Sequence, residues 1–113
     1  MALSGLLLGA ATIGLRAAAQ PEEQIIKILA RRFTYTPNKL SLKRGVPVVL
    51  ELTSADVLMG FNAPDFDVRA DIIPGQTARV RLAPDKVGTF TFLCDIFCGS
   101  GHETMNGTIT VVA

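Results

Sequence analysis

The chain has 113 residues, 49 % of them hydrophobic, which is enough for one compact domain. Six Phe, one Tyr and no Trp leave the core to aliphatic side chains. Eleven Lys and Arg against ten Asp and Glu give a formal charge of +1 with no basic stripe, which excludes an electrostatic nucleic-acid binder.

Residues Ala2 to Leu15 are almost continuously small or apolar, and Arg16 and Ala17-Ala18-Ala19-Gln20 follow. The run is short of the roughly 20 residues that span a bilayer. It predicts a signal-peptide core with Ala17-x-Ala19 as the cleavage site, although no Lys or Arg precedes it. A short membrane anchor is the alternative, and the N-terminus is the one part expected to touch a membrane. The expected division is a leader over 1–19 and a domain over 20–113, exported to the periplasm.

Short apolar runs separated by turn residues fill the domain. Ile25 to Ala30, rich in β-branched residues, is the first predicted strand, and Thr36-Pro37-Asn38-Lys39 is a turn. Leu40 and Leu42 alternate with Ser41 and Lys43 up to Arg44-Gly45. Val46 to Thr53 follows, with Val48, Leu50 and Leu52 on one face and Glu51 and Thr53 on the other. After the turn Ile73-Pro74-Gly75-Gln76, Ala78, Val80 and Leu82 alternate with Thr77, Arg79 and Arg81. Pro84 to Gly88 forms another turn. Phe90, Phe92 and Cys94 then share a face opposite Thr89 and Thr91, and Thr108 to Val112 alternates once more with Ile109 and Val111 inward. Period-two alternation marks half-buried strands. About seven of them at regular spacing, with no helical period, predict a single all-β sandwich or barrel.

One segment stands apart. Cys94-Asp95-Ile96-Phe97-Cys98-Gly99-Ser100-Gly101-His102-Glu103-Thr104-Met105 reads C-x3-C-x3-H-x2-M and lies between two predicted strands. Thiolate, imidazole and thioether are the donors that copper selects, and glycines let a short loop fold back on itself. His102 is the only histidine in the chain. Each residue also has an ordinary alternative. The cysteines could close a disulfide in an oxidising compartment, His102 could be an exposed loop residue, and Met105 could be core packing.

This segment resembles the copper-binding loop of the cytochrome c oxidase subunit 2 family, whose CuA domain has the cupredoxin fold, a Greek-key β-sandwich or barrel. The likeness extends over roughly Ile25 to Ala113. It includes Asp56-Val57-Leu58-x-Gly60-Phe61, Ile73-Pro74-Gly75, Gly88-Thr89-Phe90 and Met105-x-Gly107-Thr108-Ile109. The resemblance implies that Cys94 and Cys98 bridge two copper ions, that His102 and Met105 are terminal ligands, and that the Ile96 carbonyl completes the set. It also exposes a departure. The family carries a histidine ligand in a D-x-x-H-G-F pattern, and this chain has Met59 at that position. A thioether is softer than an imidazole and favours Cu(I). One or two coppers, with or without Met59 as ligand, are both compatible with the residues.

The expected function is one-electron transfer as a periplasmic copper protein, with a c-type cytochrome or an oxidase complex as transient partner. No acid–base constellation points to bond-making chemistry. A Cu(I) chaperone or store working with copper-trafficking proteins is the alternative, and a metal-free interaction module a third. Phe61 and Phe97 are expected either to shield the metal or to take ordinary core roles. Asp65, Asp67, Asp71, Asp95 and Glu103 are expected in loops near it, either as a solvated surface or to steer a basic partner.

Overall fold

The computed structural model describes residues 23–113. The expected leader over 1–19 lies outside the described residues, as do the first residues of the domain.

Among the described residues nine strands form two sheets, in line with the all-β expectation. They are β1 (Gln24–Arg31), β2 (Thr34–Thr36), β3 (Lys39–Lys43), β4 (Val48–Ser54), β5 (Met59–Ala63), β6 (Val68–Ile72), β7 (Ala78–Leu82), β8 (Gly88–Leu93) and β9 (Asn106–Val112). Single 3-10 turns cover Pro64–Phe66 and His102–Thr104. One sheet has the order β2-β1-β4-β7 and the other β3-β9-β8-β5-β6. Two neighbouring pairs, β1 with β4 and β3 with β9, run parallel, so each requires a crossover from one sheet to the other.

The alternation read from the sequence decides which side chains face inward. Leu40 and Leu42, Val48, Leu50 and Leu52, Val80 and Leu82, and Ile109 and Val111 are all buried, while Ser41, Lys43, Arg79 and Arg81 are exposed. Both sheets contribute to one buried cluster. Removing each such aliphatic side chain from water contributes about 1.5–3 kcal/mol. Tyr35, Phe61 and Phe92 form its aromatic centre, with Tyr35 edge-on to Phe92 at 5.0 Å and Phe61 tilted against Phe92 at 5.1 Å.

Three strands were not expected. β2 is three residues long, too short to display a period. β5 is buried at Met59, Gly60, Phe61 and Ala63, so it shows no alternation of polar and apolar residues. β6 does alternate, with Arg69 and Asp71 outward, but its inward residues include only the small Ala70 between Val68 and Ile72. β5 pairs with both β6 and β8, which sets Met59 and Gly60 beside the strand that leads into Cys94.

Candidate metal centre

The cysteine segment leaves β8 at Leu93 and re-enters the sheet as β9 at Asn106. Its ends are tied together where the Cys94 amide donates to the Met105 carbonyl at 3.1 Å. Between them the loop closes through His102 N–H to the Gly99 carbonyl and Met105 N–H to the His102 carbonyl, both 3.1 Å. Within the loop closed in this way, the side chains of Cys94, His102 and Met105 converge on Cys98.

Cys98 Sγ is the hub. It lies 3.9 Å from Cys94 Sγ, 3.8 Å from His102 Nδ1 and 3.9 Å from Met105 Sδ. The Cys94 thiol is directed at the Ile96 carbonyl, 3.2 Å away. Both cysteines are free thiols, and with Met105 they are buried, while His102 is half-buried at the mouth. Two metal–sulfur bonds of about 2.3 Å at a tetrahedral angle hold their sulfurs about 3.8 Å apart. The observed spacings are therefore those of donors prepared to share an ion, and two thiols, a thioether and an imidazole form a set that suits copper. The residues fit the metal that the sequence implied.

Burial raises the Cys98 thiol to about 11, with the field of Cys94 and the hydrogen bond to it acting in the same direction; Arg32 opposes the shift. The neutral thiol is thus the resting form until a cation replaces its proton.

The loop is supported by Arg32 and Phe33, which no motif marked, and by Asp56 and Gly60 of the D-x-x-H-G-F-like segment. Arg32 Nε donates to the Cys98 carbonyl at 3.3 Å, and the Arg32 amide donates to Asp56 Oδ2 at 3.2 Å. Phe33 packs over the loop so closely that a Cβ on Gly101 would stand 2.7 Å from its ring. A Cβ on Gly99, whose φ is +140°, would meet the same ring at 2.9 Å. From β5, the Gly60 amide donates to Cys94 Sγ at 3.4 Å. Long-range contacts of this kind leave no signature in local sequence.

Other expected residues fall differently. Met59 is wholly buried in β5, one residue from the amide that meets Cys94. Phe61 is buried in the core, but Phe97 is 76 % exposed, its ring centre 5.7 Å from that of His102, and so it does not seal the site. Asp71 belongs to β6 rather than to a loop. Asp95 receives Arg69 through two bonds of 2.7 and 2.8 Å, and Arg69 also reaches Asp71 at 2.8 Å. The Arg69 bonds hold the Asp95 carboxyl below its ordinary value.

The sequence profile of the cupredoxin-like domain matches residues 4–111. The chain belongs to that family. This cupredoxin is 33 % identical over 91 residues to a cytochrome c oxidase subunit 2 of Thermus thermophilus, covering 80 % of this chain and 67 % of the relative. A second subunit 2 from the same species is also 33 % identical over 91 residues, and there the chain spans 54 % of the relative's length. The periplasmic domain of cytochrome oxidase subunit II from Bradyrhizobium japonicum has the same fold, with a TM-score of 0.75 at 24 % identity over 81 % of this chain and 86 % of that one. The cupredoxin is homologous to the CuA domain of subunit 2, as its loop motif implied. Among the described residues no helix is long and apolar enough to cross a membrane.

Proposed function

We propose that this cupredoxin is a copper-binding one-electron carrier whose ligands are Cys94, Cys98, His102 and Met105, with the Ile96 carbonyl as an additional donor. The observation that carries the reading is the single point, Cys98 Sγ, from which thiol, imidazole and thioether partners stand 3.8–3.9 Å away. Copper supplies a one-electron couple. The protein holds soft donors at fixed spacing in a loop hydrogen-bonded at both ends, so little rearrangement accompanies a change of charge. The buried sulfurs are kept from water, while the half-buried His102 and the exposed Phe97 face outward where a partner can approach. One electron enters from a reduced redox protein and leaves to an oxidised one. No proton or group need be transferred.

The partner on this reading is a redox protein such as a c-type cytochrome or an oxidase assembly. The place of action is the periplasm, which the apolar segment before Arg16 supports as a leader or an anchor.

Met59 favours a second reading, a Cu(I)-holding protein for copper transfer. A buried thioether replaces the imidazole expected there, and thioethers select the reduced ion.

Reconstitution with copper under reducing conditions separates the readings by metal stoichiometry, visible absorption and electron paramagnetic resonance. Two coppers with a mixed-valence signal indicate a CuA-type carrier, and one intensely coloured Cu(II) a mononuclear carrier. Tight colourless Cu(I) binding that resists oxidation favours transfer or storage. Absence of uptake by the fully reduced protein would leave only a metal-free module.

A further inference from the structure

The site is held from a direction that no ligand motif marks. Tyr35 sits in β2, in the sheet opposite the copper loop, and is fully buried. Its hydroxyl donates to the Gly60 carbonyl at 2.7 Å, and the Gly60 amide in turn donates to Cys94 Sγ at 3.4 Å. Gly60 is gripped on its remaining side by Asp95, whose carboxylate occupies the space a Cβ would need and is itself held by Arg69. Burial raises the phenol above its ordinary value, and the field of Cys94 acts in the same direction.

We propose that Tyr35 is a positioning residue for the metal centre: by fixing Gly60 it aims a backbone N–H at Cys94 Sγ and thereby sets how much electron density that sulfur gives to copper. This rests on the copper reading above. An N–H directed at a ligating sulfur withdraws density from it and stabilises the reduced metal, and hydrogen bonding around a cysteine ligand is a known determinant of reduction potential. Without the hydroxyl, Gly60 loses its anchor on one side, the N–H···S bond weakens, and the sulfur donates more strongly to the oxidised ion. Tyr35 touches no metal. Its effect passes through Gly60.

Tyr35→Phe removes only the hydroxyl and keeps the ring packed on Phe61 and Phe92. The copper-loaded variant should bind as much copper as the parent, with its sulfur-to-copper absorption shifted. Its oxidised-to-reduced equilibrium should move about tenfold toward the oxidised form, equivalent to about 59 mV for one electron. Unchanged absorption and potential at full copper occupancy would overturn the proposal. So would a merely structural role, seen as lower copper occupancy with the parent's spectrum in the bound fraction. Should Tyr35→Phe not fold, the single tyrosine allows a second measurement, because biosynthetic 3-fluorotyrosine labels this one position. Its fluorine resonance should move when Cu(I) is added, and a resonance indifferent to copper would refute the coupling. Failure of the parent itself to take up copper would instead count against the copper reading on which both tests stand.

Discussion

Cys98 stands between three other donors and is buried, and both facts govern its proton. In the metal-free protein its thiol is raised from 9.0 to about 11 by burial first and by Cys94 second. For stability, the contribution of the neutral buried thiol is complete below 9.0 and is lost as pH rises through about 11. For metal uptake the sign reverses, because the ion binds the thiolate and must displace that proton. Copper affinity should therefore rise with pH by about tenfold per unit for each proton released, throughout the range below about 11. Competition against a Cu(I) chelator at about pH 6 and about pH 8 checks this, and a flat profile would contradict ligation by Cys98. Met59 permits a second test at the same scale. Met59→His places an imidazole in a fully buried position, where an unsatisfied polar group costs about 1–3 kcal/mol. The copper-free variant should lose about that much stability in denaturant titration. With copper added the imidazole gains a partner, and a mixed-valence spectrum with two coppers per chain should appear. A loaded variant whose spectrum matches the parent's would show that position 59 lies outside the donor set.

At the scale of the element, the copper loop is shaped by the β1–β2 connection lying across it. Phe33 covers Gly99 and Gly101, and Arg32 holds the Cys98 carbonyl. Gly99→Ala meets both a positive φ of +140° and the Phe33 ring, so it should destabilise the metal-free protein by about 1–3 kcal/mol and speed copper release. In a Phe33→Ala background the steric part of that cost disappears while the backbone part stays, so in a double-mutant cycle on denaturation the double variant should lose less stability than the two single variants summed. Strict additivity would mean that the ring does not constrain the loop. This cover also shows how far local sequence reaches. Donor types and their spacing are written within twelve consecutive residues, from Cys94 to Met105, and so could be read directly. The alternating Leu, Val and Ile of β3, β4, β7 and β9 were equally legible, because each strand presents one dry face. Tyr35, Arg32 and Phe33 act across separations that periodicity does not encode. β5 escaped for a related reason: a strand covered on both sides loses its polar alternation, and the glycine needed against Asp95 resembles a turn residue in isolation.

For the molecule as a whole, the centre joins pieces that a metal would fasten together. The ligands leave from β8 and return to β9, β5 supplies the Gly60 amide, and the opposite sheet reaches in through Tyr35 and the turn that carries Arg32 and Phe33. The two sheets share one core but exchange strands only through crossovers, including the parallel pairs β1–β4 and β3–β9. Unfolding separates the loop from these supports, so the unfolded chain, whose donors lie within twelve consecutive residues, holds the ion less tightly. A ligand that binds only the folded state stabilises it by mass action, by about 2.7 kcal/mol at a free concentration 100 times its Kd. In a domain of this size each kcal/mol corresponds to about 4–8 °C, so saturating Cu(I) should raise the melting temperature by about 10–20 °C. Cys98→Ser keeps the side chain small but removes the hub of the donor set, and it should abolish most of that increase while changing the metal-free melting temperature much less. Differential scanning calorimetry of both proteins with and without Cu(I), in the presence of a thiol reductant, measures the four values needed. An equal increase in parent and variant would place the copper somewhere other than between Cys98 and its three neighbours.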